Sequence, residues 1–192
     1  MDAVTQTPSP QNEPVLGYAP GSTERTELEA ALKTFAGADP VDLTCTIGGE
    51  RRPGGGAAID VVQPHDHRSV LGVIRSAARE DTVAAIEAAR AAAPGWQALP
   101  YDERAAVLLR AAELLSGPWR ARLNAATMLG QSKTAIQAEL DAACELVDFW
   151  RFNVAYGRRI LAEQPASGPG TWNRMEQRPL EGFVYAITPF NF

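Results

Sequence analysis

Gly182-Phe-Val-Tyr-Ala-Ile-Thr188, continued by Pro189-Phe-Asn-Phe192, is an apolar β-type run with no polar face. A strand of that composition suits burial on both sides, as in the parallel sheet of an α/β protein. Parallel strands need neighbours, and each crossover takes a dozen or more residues. Only four residues follow Thr188, so the expectation is the front part of something larger. The run delivers Asn191 at the C-terminal edge of the strand, where α/β sheets bind ligands. An uncharged amide with two N–H donors suits a developing oxyanion there, although a plain post-strand turn would also explain an Asn.

Upstream of this strand the pattern is helical. Pro165–Gly170 reads as a loop and Thr171–Arg178 as a loosely alternating strand. Before them, about Thr134–Leu161 forms one long helix, with Ile136, Leu140, Ala143, Val147, Trp150 and Val154 recurring at helical spacing. Trp119–Leu129 is another helix, and Pro100 opens a third that Gly117-Pro118 ends, with Ala105, Leu108, Leu109, Ala112 and Leu115 as its stripe. Thr82–Ala93 is a helix capped by Asp81 and stopped at Pro94-Gly95. Leu43–Ile47, Ile59–Val62 and Val70–Ile74 read as strands of a small antiparallel sheet, with Gly48-Gly49 as a tight turn. Ser22 opens a helix to about Phe35. Residues 1–21 are polar and proline-rich, an extended arm. The expected organisation is an arm over 1–21, a helix-and-strand part over 22–168, a separate strand over 169–179, and the first strand of an incomplete sheet over 180–192.

Composition narrows the function classes. Lys and Arg total 18 against 23 Asp and Glu, a net charge of −5, which disfavours a nucleic-acid groove. No run approaches the roughly 18 apolar residues of a membrane span. Two cysteines, Cys45 and Cys144, fit a reducing compartment. The N-terminal residues lack the basic and apolar regions of a secretory signal and the arginines of a transit peptide. A cytoplasmic protein is expected.

Most motif-like features have ordinary explanations. Gly54-Gly55-Gly56 has Ile59 where a dinucleotide fingerprint needs glycine, and reads as a flexible turn. His65 and His67 sit beside Pro64 and Asp66 in a turn, so no metal site is expected. Cys144 has acidic neighbours that make its thiolate scarce. Asp141, Glu145 and Asp148 share a helix face at i, i+4 and i+7. That face is either a solvated acidic surface or a site. Phe149 and Phe152 follow Glu145 on the same side, so its carboxylate could receive a substrate ammonium with the rings excluding water.

The C-terminal run resembles the strand and Pro-aromatic-Asn-Phe motif of aldehyde dehydrogenases. Leu129-Gly-Gln-Ser-Lys-Thr134, Glu139-Leu-Asp-Ala-Ala-Cys-Glu-Leu-Val-Asp-Phe-Trp-Arg-Phe-Asn153, Trp172-Asn-Arg174 and Arg178-Pro-Leu-Glu-Gly-Phe183 are similar to the 1-pyrroline-5-carboxylate dehydrogenase branch of that family. The resemblance implies an α/β, aldehyde dehydrogenase-like fold: small antiparallel strands and helices, then the first strand of a Rossmann-like NAD-binding sheet. It also implies NAD-dependent oxidation of L-glutamate γ-semialdehyde to glutamate in proline degradation. Asn191 then matches the oxyanion-hole amide. Ile187, Thr188, Pro189 and Phe190 match the cofactor edge, Glu145 the carboxylate meeting the substrate's amino end, and Phe192 an aromatic wall. Thr171–Arg178 matches the start of an oligomerisation flap, so a complete enzyme is expected to be a homo-oligomer acting on a small molecule, without nucleic acid or membrane. The family's nucleophilic Cys lies further downstream than these residues reach, so the 192-residue chain alone is expected to be an inactive fragment. The alternatives are another aldehyde dehydrogenase branch, or a non-catalytic subunit pairing with a full-length partner.

Overall fold

The computed structural model describes residues 9–188. Helix α1 (Thr23–Ala36) starts at Ser22, whose hydroxyl accepts from the Arg25 N–H at 3.3 Å. This satisfies one of the free donors of the first turn. Leu28 is its buried residue, and α1 packs along helix α4 (Arg120–Gln131).

The strands follow. The expected strand Leu43–Ile47 is instead two elements. β1 (Val41–Leu43) runs parallel to β5 (Asp66–Arg75), and β2 (Cys45–Ile47) pairs antiparallel with β3 (Glu50–Arg52). The parallel pairing is possible because Gly72 lies opposite Val41: a Cβ there would come within 2.6 Å of the Val41 carbonyl oxygen. β2 and β3 are joined at Gly48 and Gly49, with φ of 61° and 84°, the backbone sign that a two-residue hairpin turn requires. β4 (Ala58–Gln63) pairs antiparallel with β5, giving the order β1-β5-β4.

Gly54–Gly56 is not a flexible turn. A Cβ on Gly54 would lie 2.4 Å from the carbonyl oxygens of both Arg75 and Ser76. The Gly56 N–H donates to Ser76 O at 2.8 Å, and the Gly55 N–H to Asp81 Oδ2 at 2.7 Å. Glycine is used here for close backbone approach.

Helix α2 (Arg79–Ala98) passes through Pro94 rather than stopping there. The ring removes one donor, and the actual stop is Leu99, whose extended backbone (φ −66°, ψ 134°) is what a residue before proline prefers. Asp81 sits inside the first turn, its carboxylate accepting from the Ala78 N–H at 2.9 Å. Those two backbone N–H groups, of Ala78 and Gly55, hold its carboxyl below the usual carboxylate range.

Helix α3 (Tyr101–Ser116) packs on α6 (Glu145–Ala162). Their shared core is Ala112, Leu115 and Val147, with Leu123, Leu146 and Trp150 against it. The long helix expected over Thr134–Leu161 contains a π turn. α5 (Ala135–Ala138) leads into π-helical Glu139–Cys144, and the Glu145 N–H bonds to Leu140 O, five residues back. That wider turn rotates the stripe: Ala143, Val147 and Val154 are buried, whereas Ile136 and Leu140 face outward.

Thr171–Arg178 and Gly182–Thr188, expected as strands, form no ladder among the described residues. Val184 is 76% exposed, Tyr185 78% and Ile187 77%. An apolar run of this type gains its burial from neighbouring strands, and no described strand of this chain lies beside it.

Candidate functional site

The N-terminal arm, read from sequence as merely extended, is docked. Its anchor is Glu139, the first residue of the π turn and 0% exposed. Arg120 of α4 donates to both Glu139 oxygens, through Nε at 3.2 Å to Oε2 and through Nη2 to Oε1. Glu139 also accepts from the Leu16 N–H at 2.8 Å, the Tyr18 hydroxyl at 2.7 Å and Asn124 Nδ2 at 2.9 Å. Arg120 reaches Glu13 and, at 2.6 Å, the Pro14 carbonyl. Arg151 of α6 holds the other oxygen of Glu13 at 2.8 Å.

Burial works to raise the Glu139 carboxyl, but the Arg120, Leu16 and Tyr18 hydrogen bonds outweigh it and hold the group at about 2. Burial, reinforced by Glu139, pushes the Tyr18 hydroxyl well above its ordinary value. Cys144 is buried in the same nest, 3.4 Å from Arg120 Nη2. Burial, then the Glu139 charge, pushes its thiol up to about 11, which makes its thiolate scarce at neutral pH.

Docking the arm creates a cleft of about 650 Å³ along the π turn and α6. Asn12, Glu13 and Val15 form one side; Asp141, Glu145, Phe149, Phe152 and Tyr156 are among the residues of the other. The structure thus brings the three acids read from the sequence to one cleft, but in different states. Asp141 is paired with Lys133 Nζ at 2.6 Å. Asp148 accepts from Asn12 Nδ2 and from the Glu13 N–H, both at 2.6 Å. The Glu145 carboxylate has no ion pair or hydrogen bond among the described residues, and the residue is exposed to the cleft. Phe149, 56% exposed, and the Phe152–Tyr156 pair, with ring centroids 6.0 Å apart, lie along the same cleft. An unpaired carboxylate among rings is chemically a receptor for an organic cation.

Sequence reasoning missed the arm, Arg120, Asn124 and Glu139. The available signals were an Arg, an Asn and a Glu placed where two helices meet, but nothing in their spacing joins them to residues 12–18. Ile187 and Thr188 lie in the exposed C-terminal segment, which carries no assigned helix or strand. Pro189, Phe190, Asn191 and Phe192 lie outside the described residues. Of the two histidines, His65 bonds through Nδ1 to Ser132 Oγ at 2.7 Å, and no cluster of three potential metal ligands occurs among the described residues. No described helix is long and apolar enough to cross a membrane.

Residues 52–192 match the aldehyde dehydrogenase family. The delta-1-pyrroline-5-carboxylate dehydrogenase of Agaricus bisporus is 46% identical over 195 residues, taking in 99% of this chain and 35% of that protein. The mitochondrial protein of the same name from Homo sapiens is 44% identical, over 94% of this chain and 32% of its own length. The crystal structure of the Mycobacterium tuberculosis delta-pyrroline-5-carboxylate dehydrogenase bound with NAD is 62% identical, with a TM-score of 0.97. It matches 100% of this chain and 36% of its own. The chain therefore spans about a third of the length of these relatives.

Proposed function

We propose, on the premise that this chain belongs to the aldehyde dehydrogenase family, that it forms the amino-terminal part of an L-glutamate γ-semialdehyde dehydrogenase. The reaction is NAD-dependent oxidation of the semialdehyde, formed by ring opening of 1-pyrroline-5-carboxylate, to glutamate. The observation that carries this reading is the free carboxylate of Glu145 in an aromatic cleft whose two acidic neighbours are already engaged. Likeness to delta-1-pyrroline-5-carboxylate dehydrogenases over nearly the whole chain supports it.

Glu145 binds the substrate's ammonium group. Phe149 and Phe152 cover the bound cation and exclude water, which strengthens the charge pairing. Phe192 is the wall along the aliphatic chain. Asn191 donates its amide N–H to the oxygen on which negative charge develops, a contact whose loss costs about 100–1000-fold in rate.

The residues present fit an edge contact with NAD rather than a phosphate cradle. Gly54–Gly56, the run of three glycines, is filled by the Arg75–Ser76 backbone. Ile187 and Thr188 are exposed and without ladder partners among the described residues, so their backbone groups and the Thr hydroxyl are open to a ligand, and Pro189 and Phe190 are assigned to the same cofactor contact. Bound NAD supplies the hydride acceptor. Trp172, 79% exposed on the unladdered segment 169–179, supports strand addition to a second copy and so a homo-oligomer. The free thiols of Cys45 and Cys144 support a reducing compartment, and we place the protein in the cytoplasm.

The test is kinetic. In the full-length enzyme carrying this sequence, Glu145→Gln raises KM for glutamate semialdehyde about tenfold, as expected for one lost charge contact, and leaves KM for pentanal unchanged. Equal effects on both substrates remove the substrate role of Glu145.

A further inference from the structure

The cleft has two walls, and only one belongs to the helix that carries Glu145. The other is the segment Asn12–Val15, which is more than a hundred residues away in sequence from everything that holds it. Three separate ties fix it. Asp148 receives Asn12 and the Glu13 N–H. Arg151 and Arg120 take one oxygen each of Glu13, whose side chain is 10% exposed. Behind them Glu139 accepts the Leu16 N–H. Asp148 and Arg151 leave the same helix as Glu145, one turn and nearly two turns further on.

We propose that Glu13 is a positioning residue for substrate selection: by clamping the arm to Arg120 and Arg151 it holds the second wall of the Glu145 cleft in place. This rests on the reading of Glu145 as the ammonium receptor. The clamp protects that receptor. It keeps Asp148, three residues from Glu145 on the same helix, occupied by arm donors, so that Asp148 does not compete for the substrate cation. Without the arm, Asp148 is released beside Glu145. Selectivity for an ammonium-bearing aldehyde over a plain one then falls, while the chemistry of the aldehyde end is untouched.

Cys144 provides an independent reporter of the arm's position. Its Sγ lies 3.8 Å from the Pro14 carbonyl and is shielded in the same nest. The experiment uses the full-length enzyme with Glu13→Ala and, as a milder variant, Arg151→Met. Steady-state kinetics are measured with glutamate semialdehyde and with pentanal, and thiol labelling at Cys144 is read by peptide mass spectrometry. The expected result is a KM for the semialdehyde raised on the order of fivefold, the range of a partly exposed charge contact. KM for pentanal and both kcat values stay within about twofold, and Cys144 labels faster. Faster labelling with an unchanged semialdehyde KM overturns the proposal, because the arm has then moved without consequence. Unchanged labelling in both variants also overturns it, because Glu13 then does not hold the arm. So does an equal rise for both aldehydes, which marks a merely structural role. If Glu145→Gln itself fails to discriminate the two aldehydes, the receptor reading is what has failed, and the arm's part in selection falls with it.

Discussion

Arg120 and Glu139 meet across two helices in a space closed to water, with Arg120 Nε 3.2 Å from Glu139 Oε2 and the Glu139 side chain fully buried. Around this pair the Leu16 N–H and the Tyr18 hydroxyl are bound by Glu139, and Glu13 and the Pro14 carbonyl by Arg120. A buried ion pair of this kind is costly to break from one side, because the surviving charge stays desolvated.

Removing one partner is therefore expected to be severe. Arg120→Met destabilises the protein by about 3–5 kcal/mol, the usual loss for a half-broken buried pair. The double variant Arg120→Met with Glu139→Leu is less destabilised than the sum of the two single variants. Urea unfolding of the four proteins gives the cycle directly, and additivity would show that the pair is uncoupled.

The pair also sets an acid limit. The folded value of the Glu139 carboxyl, about 2, is depressed below its ordinary 4.5. Its contribution is thus complete above the unfolded value and lost as pH falls from about 4.5 toward about 2. Glu139→Gln is less stable than the natural sequence at pH 6, and the gap narrows through that window. Thermal unfolding followed by circular dichroism between pH 6 and pH 2 tests the sign; a constant gap would mean that Glu139 does not titrate with unfolding.

Glycines differ sharply in what they tolerate. A Cβ on Gly157 would lie 2.4 Å from the Tyr101 hydroxyl, which donates to Val154 O across the α3–α6 contact. Gly157→Ala is expected to cost about 1–3 kcal/mol through overpacking. Gly95→Ala in α2, where nothing lies within 4 Å, is expected to stabilise by about 0.5–1 kcal/mol through helix propensity. Denaturant midpoints compare the two, and equal losses would refute the packing argument.

The 192 residues by themselves are expected to form no NADH from glutamate semialdehyde. Cys144 is buried with its thiol pushed up to about 11, and Cys45 is half-buried in β2. Absorbance at the reduced-nicotinamide band, with the full-length enzyme as the positive control, decides it; any turnover would assign a nucleophile to one of these cysteines.

Sequence alone determined most of the helices, the hairpin turns, the family resemblance and the acidic face around Glu145. These follow from periodicity, turn chemistry and local motifs, which act over a few residues. It also failed in instructive places. Pro94 does not break α2, because one lost donor is outweighed when the rest of the helix is in place. Leu43–Ile47 divides between two sheets, because only Gly72 lets β1 approach in parallel. Tertiary structure decided the π turn, the burial of Glu139 and the docking of the arm. It also decided which acid of the three stays free, since Asp141 and Asp148 are engaged by Lys133 and Asn12. Those outcomes rest on charge pairs between residues up to 138 apart in sequence. No local pattern encodes such pairing; it arises only when folding removes both charges from water together.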